Sequence, residues 1–393
     1  MTEWKEYKLG EIADVQTVPF GSQLHQSDYV YVGIPSIMPV NIGNRMDIST
    51  EKIVYITEKD AKRLSRYRVQ IGDIVYSRRG DVEKCAYINE KENGWLCGTG
   101  CLRIRIDLSK ADSKFIAYYL STDDMKSWIS NNAVGTTMPN LNSSILQQIP
   151  LSLPTLPTQR RIATILSSLD DKIDLLHREN ATLEQMAETM FRQWFVVEAK
   201  EEWEEKTLSF FGKIVCGKTP SKKEKKYFGG QIPFIKIPDM HNNVFVFNSE
   251  DTLTEEGVLS QKEKTIPPFS IIVSCIATVG LVVMNAKKAQ TNQQINSIIP
   301  EKEYYRYFLF LHLRNMYEEL NAMASGGTAT LNLNTGNFSK ILLPCPTDDY
   351  LRVFNEQVKD LFLKIYSNQK QIQTLIQMRD GLLPKLMSNE INL

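Results

Sequence analysis

Gly212-Lys213-Ile214-Val215-Cys216-Gly217-Lys218-Thr219 has the spacing Gly-x4-Gly-Lys-Thr, a pattern in which backbone N–H groups at a helix start cradle phosphates. That chemistry needs the Lys and Thr to open a helix. Here Pro220 follows Thr219 directly and pushes it out of the α region, whereas a phosphate-loop threonine already sits inside the helix. No apolar strand ending in Asp supplies a magnesium ligand either, so the match reads as chance. The four histidines (His25, His177, His241, His312) show no metal-ligand spacing. An Asn/Asp-Pro-Pro-Tyr segment, which would mark a base methyltransferase, is absent. Pro267-Pro268-Phe269 follows Ile266, which cannot hold an exocyclic amine. Glu224-Lys225-Lys226 lacks the Pro-Asp that a nuclease half-motif requires and reads as a solvated charge run. Cys85, Cys97 and Cys101 lie near one another with no histidine to complete a tetrahedral site, so they read as structural thiols. Neither a catalytic centre nor a metal or other cofactor is expected.

What remains is binding chemistry. Lys59, Lys62, Arg63, Arg66 and Arg68 crowd ten residues, and Arg78-Arg79-Gly80 follows a β-rich run. Further on, Lys218, Thr219, Ser221, Lys222, Lys223, Lys225 and Lys226 surround Pro220 and lead to Tyr227-Phe228-Gly229-Gly230. Cations in such clusters suit phosphate contacts, which position a protein on DNA without reading its sequence. Thr136, Thr137, Asn140 and Asn142, together with Asn292-Gln293-Gln294, offer hydroxyls and amides for base edges. Each feature has a plainer account: Lys-rich runs coat ordinary surfaces, and Asn or Thr on a loop can serve as turn or helix cap. A net charge of zero weighs mildly against a nucleic-acid binder. Residues 1–155 hold 18 basic and 18 acidic side chains, and residues 200–346 hold 17 and 15, so any basic surface must be local.

The elements that position these groups are written twice. Ala133-Val134-Gly135-Thr136-Thr137-Met138-Pro139-Asn140-Leu141-Asn142 aligns with 324–334 at an offset of 192 if one glycine is inserted. Ile149 matches Ile341 and Pro154 matches Pro346; upstream, Ile34-Pro35-Ser36-Ile37 meets Ile232-Pro233-Phe234-Ile235, and Trp4 meets Trp203. The drift in offset implies small loop insertions, which surface connections tolerate. Short β-rich runs (71–76, 102–106, 270–276) and helical stretches (113–131, 304–323) give each copy a mixed character.

After each copy comes a long helix. Ile162, Leu166, Leu169, Ile173, Leu176, Asn180, Leu183, Ala187, Met190 and Trp194 alternate spacings of four and three, the seam of a coiled coil about 50 Å long. Phe354, Val358, Leu361, Ile365, Asn368, Ile372, Leu375, Arg379, Leu382 and Leu386 repeat the spacing 192 residues later. With the helices antiparallel and fully overlapped, Asn180 faces Asn368 and the amide pair fixes register. Pro157 and Thr158 read as a stop followed by a helix start, and Gly381 and Pro384 as ending the second helix early. At 393 residues two or more domains are expected, and the apolar share of 42% is that of a soluble globular protein. Residues 1–7 are polar and no membrane span or signal peptide is expected, which with six irregularly spaced cysteines suggests a reducing cytoplasm.

Gly217-Lys218-Thr219-Pro220-Ser221 leading to Tyr227-Phe228-Gly229-Gly230-Gln231-Ile232-Pro233-Phe234 resembles the specificity subunit of a type I restriction-modification system. So do the Gly-Thr…Leu-Asn loops, Pro154…Gln159…Ile162, Arg192-Gln193-Trp194-Phe195-Val196, and Arg379-Asp380-Gly381-Leu382-Leu383-Pro384-Lys385-Leu386. The resemblance covers the whole chain. It departs at Lys218, where that family often has glycine, and in the first copy, where 15–21 replace the Gly-Lys-Thr-Pro stretch. It implies an α+β fold of two tandem pseudo-repeated mixed α/β target-recognition domains, separated by two long helices forming an antiparallel coiled coil. The boundaries expected are 1–155 and 200–346 for the recognition domains, and 156–199 and 347–393 for the helices, the last with a C-terminal tail. The implied role is non-catalytic recognition of a bipartite double-stranded DNA site. The implied partners are two adenine-methyltransferase subunits and, through them, motor-nuclease restriction subunits. A coiled-coil scaffold with two protein-binding domains is the alternative, and a nucleotide hydrolase resting on 212–219 is a third.

Since no residues for methyl transfer or strand cleavage are found, the purified chain alone should do neither. Incorporation of label from S-adenosylmethionine into DNA by the single chain would contradict this.

Overall fold

The computed structural model describes residues 4–19, 23–135, 139–325, 331–388 and 390–391. The chain forms two compact units, one of Met1–Lys172 with Leu375–Leu393, the other of Ile173–Thr374.

In the first unit an antiparallel sheet has the order Ala13–Thr17, Cys101–Ile106, Ile74–Ser77, Cys85–Tyr87. Side chains alternate across a strand, so Leu102, Ile104 and Ile106 enter one core while Cys101 enters another. The first core is roofed by helix Ser113–Leu120 through Phe115 and Ile116. The second, with Val18, Ile37, Val75, Ala86 and Cys97, lies against a smaller sheet ordered Tyr29–Val30, Val54–Ile56, Ile34–Ile37, Leu96–Cys97. An antiparallel ribbon of Lys5–Lys8 and Pro150–Leu153 joins the start of the unit to the strand that leads into the first long helix.

The second unit repeats this plan. Its main sheet runs Gly212–Cys216, Ile295–Pro300, Ile271–Ser274, Val282–Asn285, Phe245–Val246, and its ribbon pairs Glu204–Thr207 with Leu342–Cys345. The equivalences reach single residues. Ser36 pairs in parallel with Leu96 as Phe234 does with Gln290, and Leu9 N–H donates to Ile149 O (2.9 Å) as Leu208 N–H does to Ile341 O (2.7 Å).

The helical stretches expected at 113–131 and 304–323 are each interrupted. The first is Ser113–Leu120 and Asp123–Asn132, because the Ser121 and Thr122 hydroxyls donate to the Tyr118 and Tyr119 carbonyls (2.8 Å each) and close the turn. The second is a single turn at Glu303–Tyr305, then Arg306–Asn315 and Tyr317–Ala324 with Met316 between them. The strand expected at 71–76 begins only at Ile74, since Gly72 takes φ +89° and 70–73 form a turn closed by Asp73 on the Gln70 N–H.

The long helices are Leu156–Arg192, continued by a π-helical turn at Gln193–Val197, and Asp348–Met387. Pro157 lies in the first turn of the former, where its missing N–H costs nothing. The second helix does not stop at Gly381 or Pro384. Pro384 forfeits one hydrogen bond in the last turn of the helix, while Ser388 N–H still reaches Pro384 O (2.9 Å) and Leu386 is buried in the core.

Within the second unit the seam is antiparallel. Trp194 packs at a tilt against Phe354 (5.7 Å between centroids), and Ala187, Val358 and Ile365 are buried with Leu183, Met190 and Leu361 packed against them. Asn368 Nδ2 donates to Asn180 Oδ1 and to Glu179 Oε2, both at 2.9 Å, and Lys364 pairs with Glu179 at 3.3 Å. Both amides are buried. Within the first unit Ile162 and Leu166 share a core with Leu386 and Leu382, and seam position Arg379 is held by Asp170 (2.8 Å). Asp170 also accepts from the Tyr118 hydroxyl (2.6 Å), so burial and the carboxylate raise the phenol's pKa.

Asn180→Leu or Asn368→Leu should each cost about 1–3 kcal/mol, because the surviving amide stays buried without its partner. The double variant should recover much of that loss. A chemical-denaturation cycle checks this, and strictly additive single effects would show the pair to be uncoupled.

Candidate nucleic-acid interface

In the second unit the strand Gly212–Cys216 delivers Gly217-Lys218-Thr219 to the loop 292–294. Lys218 N–H donates to Thr291 O (2.9 Å), Gln261 Nε2 to Lys218 O (2.6 Å), and Thr219 Oγ1 to Gln293 Oε1 (2.7 Å). A side chain on Gly217 would collide with the carbonyls of Thr291 and Asn292. Residues 212–216 are strand, and no helix opens at Lys218 or Thr219, so the phosphate-loop pattern has no phosphate-loop geometry. Asn292 and Gln294 spend their groups on each other, Asn292 Nδ2 donating to Gln294 Oε1 (2.9 Å), while Gln293 is exposed. Ser221, Lys222, Lys223 and Lys225 are exposed on the following turn; Lys226 is ion-paired with Glu256, which raises its pKa. The structure thus brings the lysine-rich stretch and the amide loop together.

A second meeting point occurs in both units. Leu141 N–H donates to Arg78 O (2.9 Å) and Asn140 bridges Arg79, while Gly80 turns the chain with φ +73°. In the other unit Leu333 N–H donates to Cys275 O (2.8 Å), Asn332 bridges Ile276, and Ala277 adopts φ +66° where the first unit has glycine. Asn140 keeps a buried Oδ1 without an acceptor bond. Asn142 is committed: its Oδ1 accepts from Ile145 N–H (2.9 Å) and caps helix Ser143–Gln147, as Asn334 does for Asn337 N–H (2.9 Å). Thr136 and Thr137 lie outside the described residues.

The cluster at 59–68 divides. Lys59 and Lys62 are exposed on helix Glu58–Arg63. Arg63 is tied to Asp60 (2.8 Å) and to Gln23 O (2.9 Å), and the hydrogen bonds from Thr57 and Arg63 hold the Asp60 carboxyl below its usual range. Arg66 and Arg68 face a cleft shared with Arg103 and Arg105, two residues the sequence reading passed over. Their signal was Arg-x-Arg in an otherwise apolar strand, which places both on one face. Also passed over are Tyr31 (99% exposed) and Val32 (87%), apolar groups on the loop between strands Tyr29–Val30 and Ile34–Ile37. An exposed ring and methyls are groups that stack on bases or meet thymine methyls.

For covalent chemistry the thiols are poorly placed: burial pushes Cys85 and Cys275 up to about 11, far from the thiolate. Among the described residues no helix is long and apolar enough to cross a membrane.

The description "type I restriction modification DNA specificity domain" fits residues 1–185 and again 200–376. The chain is 32% identical to the specificity subunit of the type I restriction enzyme HindI from Haemophilus influenzae, over all of both chains. It is 27% identical to the MjaIX specificity subunit of Methanocaldococcus jannaschii, covering 98% of this chain and 94% of that one. In fold it resembles the crystal structure of a type I restriction-modification S subunit from M. genitalium, with TM-score 0.66 and 16% identity, covering 98% of this chain and 96% of that one.

Replacing either capping asparagine, Asn142→Ala or Asn334→Ala, should lower stability by about 0.5–2 kcal/mol, as for other helix N-caps. Denaturation midpoints measure this; loss of DNA binding with unchanged stability would instead make these amides contact groups.

Proposed function

The chain belongs to the family of type I restriction-modification DNA specificity proteins, and from its two matched units we infer that each reads one half of a bipartite double-stranded DNA site. It acts as a non-catalytic DNA-recognition subunit. The observation that supports a split site is the repetition itself: each unit carries a corresponding main sheet, of four strands in the first and five in the second, with the same ribbon and Leu-Asn meeting point, but different side chains at its exposed loops. A common frame with unlike reading groups suits two different half-sites.

In this reading residues 1–155 and 200–346 are the recognition domains, and 156–199 and 347–393 are helices that set the unread spacer. The exposed lysines at 59, 62, 222, 223 and 225 contact phosphates, and Arg79, Asn140 and Gln293 approach base edges. Two adenine-methyltransferase subunits dock on the chain, and restriction subunits join through them. The complex works in a reducing cytoplasm, consistent with the six free thiols.

Exchange of 200–346 for the same segment of a relative should change one half-site and leave the other, as read by methylation mapping of the reconstituted complex. Inserting a heptad after Leu176 and another after Asn368 preserves seam phase and lengthens each helix by roughly 10 Å. The same half-sites should then appear with a spacer longer by about 3 base pairs, at reduced affinity, given 3.4 Å per step. Altered bases with an unchanged spacer would overturn this division of labour.

A further inference from the structure

The strand Cys101–Ile106 differs from its counterpart Ile295–Pro300 in carrying charge at two positions on the same face. Arg103 pairs across the sheet with Gln16 as Ser297 does with Val215, and Arg105 with Asp14 as Ile299 does with Lys213. The first unit therefore sets two guanidinium groups where the second has a hydroxyl and an aliphatic chain. Such a change costs desolvation unless the charges are paired.

The pairing is only partial. Arg105 is fully engaged, with Nε and Nη2 each 2.7 Å from Asp73, which stands where the second unit has Ser270. Arg103 is 5% exposed; it donates to Asp14 (2.9 Å) and to Arg66 O (3.1 Å), and its buried Nε meets no acceptor. The Asp14 side chain is 69% exposed, so solvent weakens its hold. Arg66 and Arg68 arrive from the turn above. Arg68 is aimed by its Nε bond to Gly94 O (2.6 Å), and Gly94, at φ +84°, leaves room for the guanidinium. With Ser65, Gln70 and Asn93 these four arginines line a cleft of about 520 Å³. Four guanidinium groups against two carboxylates leave the cleft cationic.

We infer that this cleft binds one phosphate group, held by Arg66, Arg68 and the buried Arg103, while Arg105 and Asp73 fix the floor. A tetrahedral oxyanion offers acceptors to forks arriving from two different elements, and charge-assisted bonds to it would occupy the orphan Nε. The DNA backbone is one source of such a group, on the reading of function above; a free phosphate is the other.

Two measurements separate the sources. The first compares the thermal midpoint of the full chain in inorganic phosphate and in chloride at equal ionic strength. Wild type should be raised by phosphate; Arg66→Gln combined with Arg68→Gln should not, and Arg103→Lys, which keeps the charge but loses the fork, should respond less. The second measures binding of the methyltransferase complex to target duplex across salt concentrations. For the Arg66→Gln, Arg68→Gln protein the slope of log K against log salt should fall by about 0.9, the value for one phosphate contact, with the methylated half-sites unchanged. Both effects together assign the phosphate to DNA; a phosphate-dependent midpoint with an unchanged slope assigns a free anion. An unaltered midpoint and an unaltered slope would make the four arginines a structural ion-pair network and overturn the inference. Failure of the wild-type complex to bind any sequence selectively would strike the functional reading instead, leaving the thermal comparison to decide the cleft. Because Arg66 and Arg68 lie toward the surface, their double variant keeps the test open even where Arg103→Lys fails to fold.

Discussion

The hydrogen bond from Asn368 to Asn180 holds the helices of the second unit to one alignment. Apolar seams tolerate slippage, since one leucine layer packs much like the next. A buried amide pair does not: displaced by one layer, each amide faces hydrocarbon and loses a bond it cannot replace. The second amide hydrogen goes to Glu179, whose other oxygen meets Lys364, so the contact is tied to a charge at the seam's edge. Register matters here because the helices are not mere connectors. Ala187, Phe191, Val358 and Phe362 belong to the core of the second unit, and Ile162, Leu166 and Leu386 to that of the first. A slip would uncover the core of the second unit.

Each unit is then a frame with replaceable contents. The frame consists of paired backbones and capped turns: the ribbon, the parallel pairing of Ser36 with Leu96 and of Phe234 with Gln290, and the asparagine caps at 142 and 334. These interactions involve main-chain groups or one side-chain oxygen, and they tolerate almost any residue at the neighbouring exposed positions. The contents differ accordingly. The second unit carries lysines on an open turn next to an amide loop, and the first carries arginines around a cleft and an exposed Tyr31-Val32 tip. Ala277 at φ +66°, where the first unit has Gly80, shows how firmly the frame imposes its backbone: the turn is kept even though a methyl group must bear a left-handed conformation.

Much of this was legible from spacing and duplication. The seam alternation led to the antiparallel pairing of Asn180 with Asn368, and the offset of the repeats matched strands that the structure pairs identically. Pro220 correctly excluded the phosphate loop, because one proline settles the backbone of its neighbour. Local signals misled where tertiary burial outweighed them. Pro384 was read as a stop, yet the packing of Leu386 and Met387 keeps the last turn helical. The stretch at 113–131 reads as unbroken in one dimension, because the hydroxyls that close the turn at 121–122 look like ordinary helix surface.

The candidate contact groups show the same division more sharply. By itself the sequence determined periodicity, duplication and the polar pair in the seam, since these depend on residue type and separation along the chain. Which polar side chains remain available was decided only by the tertiary structure. Of the groups read as DNA contacts, Asn142 also caps a helix, and Arg63 and Lys226 also pair with carboxylates. Arg103 and Arg105, unremarked in their strand, meet Arg66 and Arg68 across a cleft. The partners of Lys226 and Arg103 lie in segments distant in sequence, and composition alone does not reveal a bond made there.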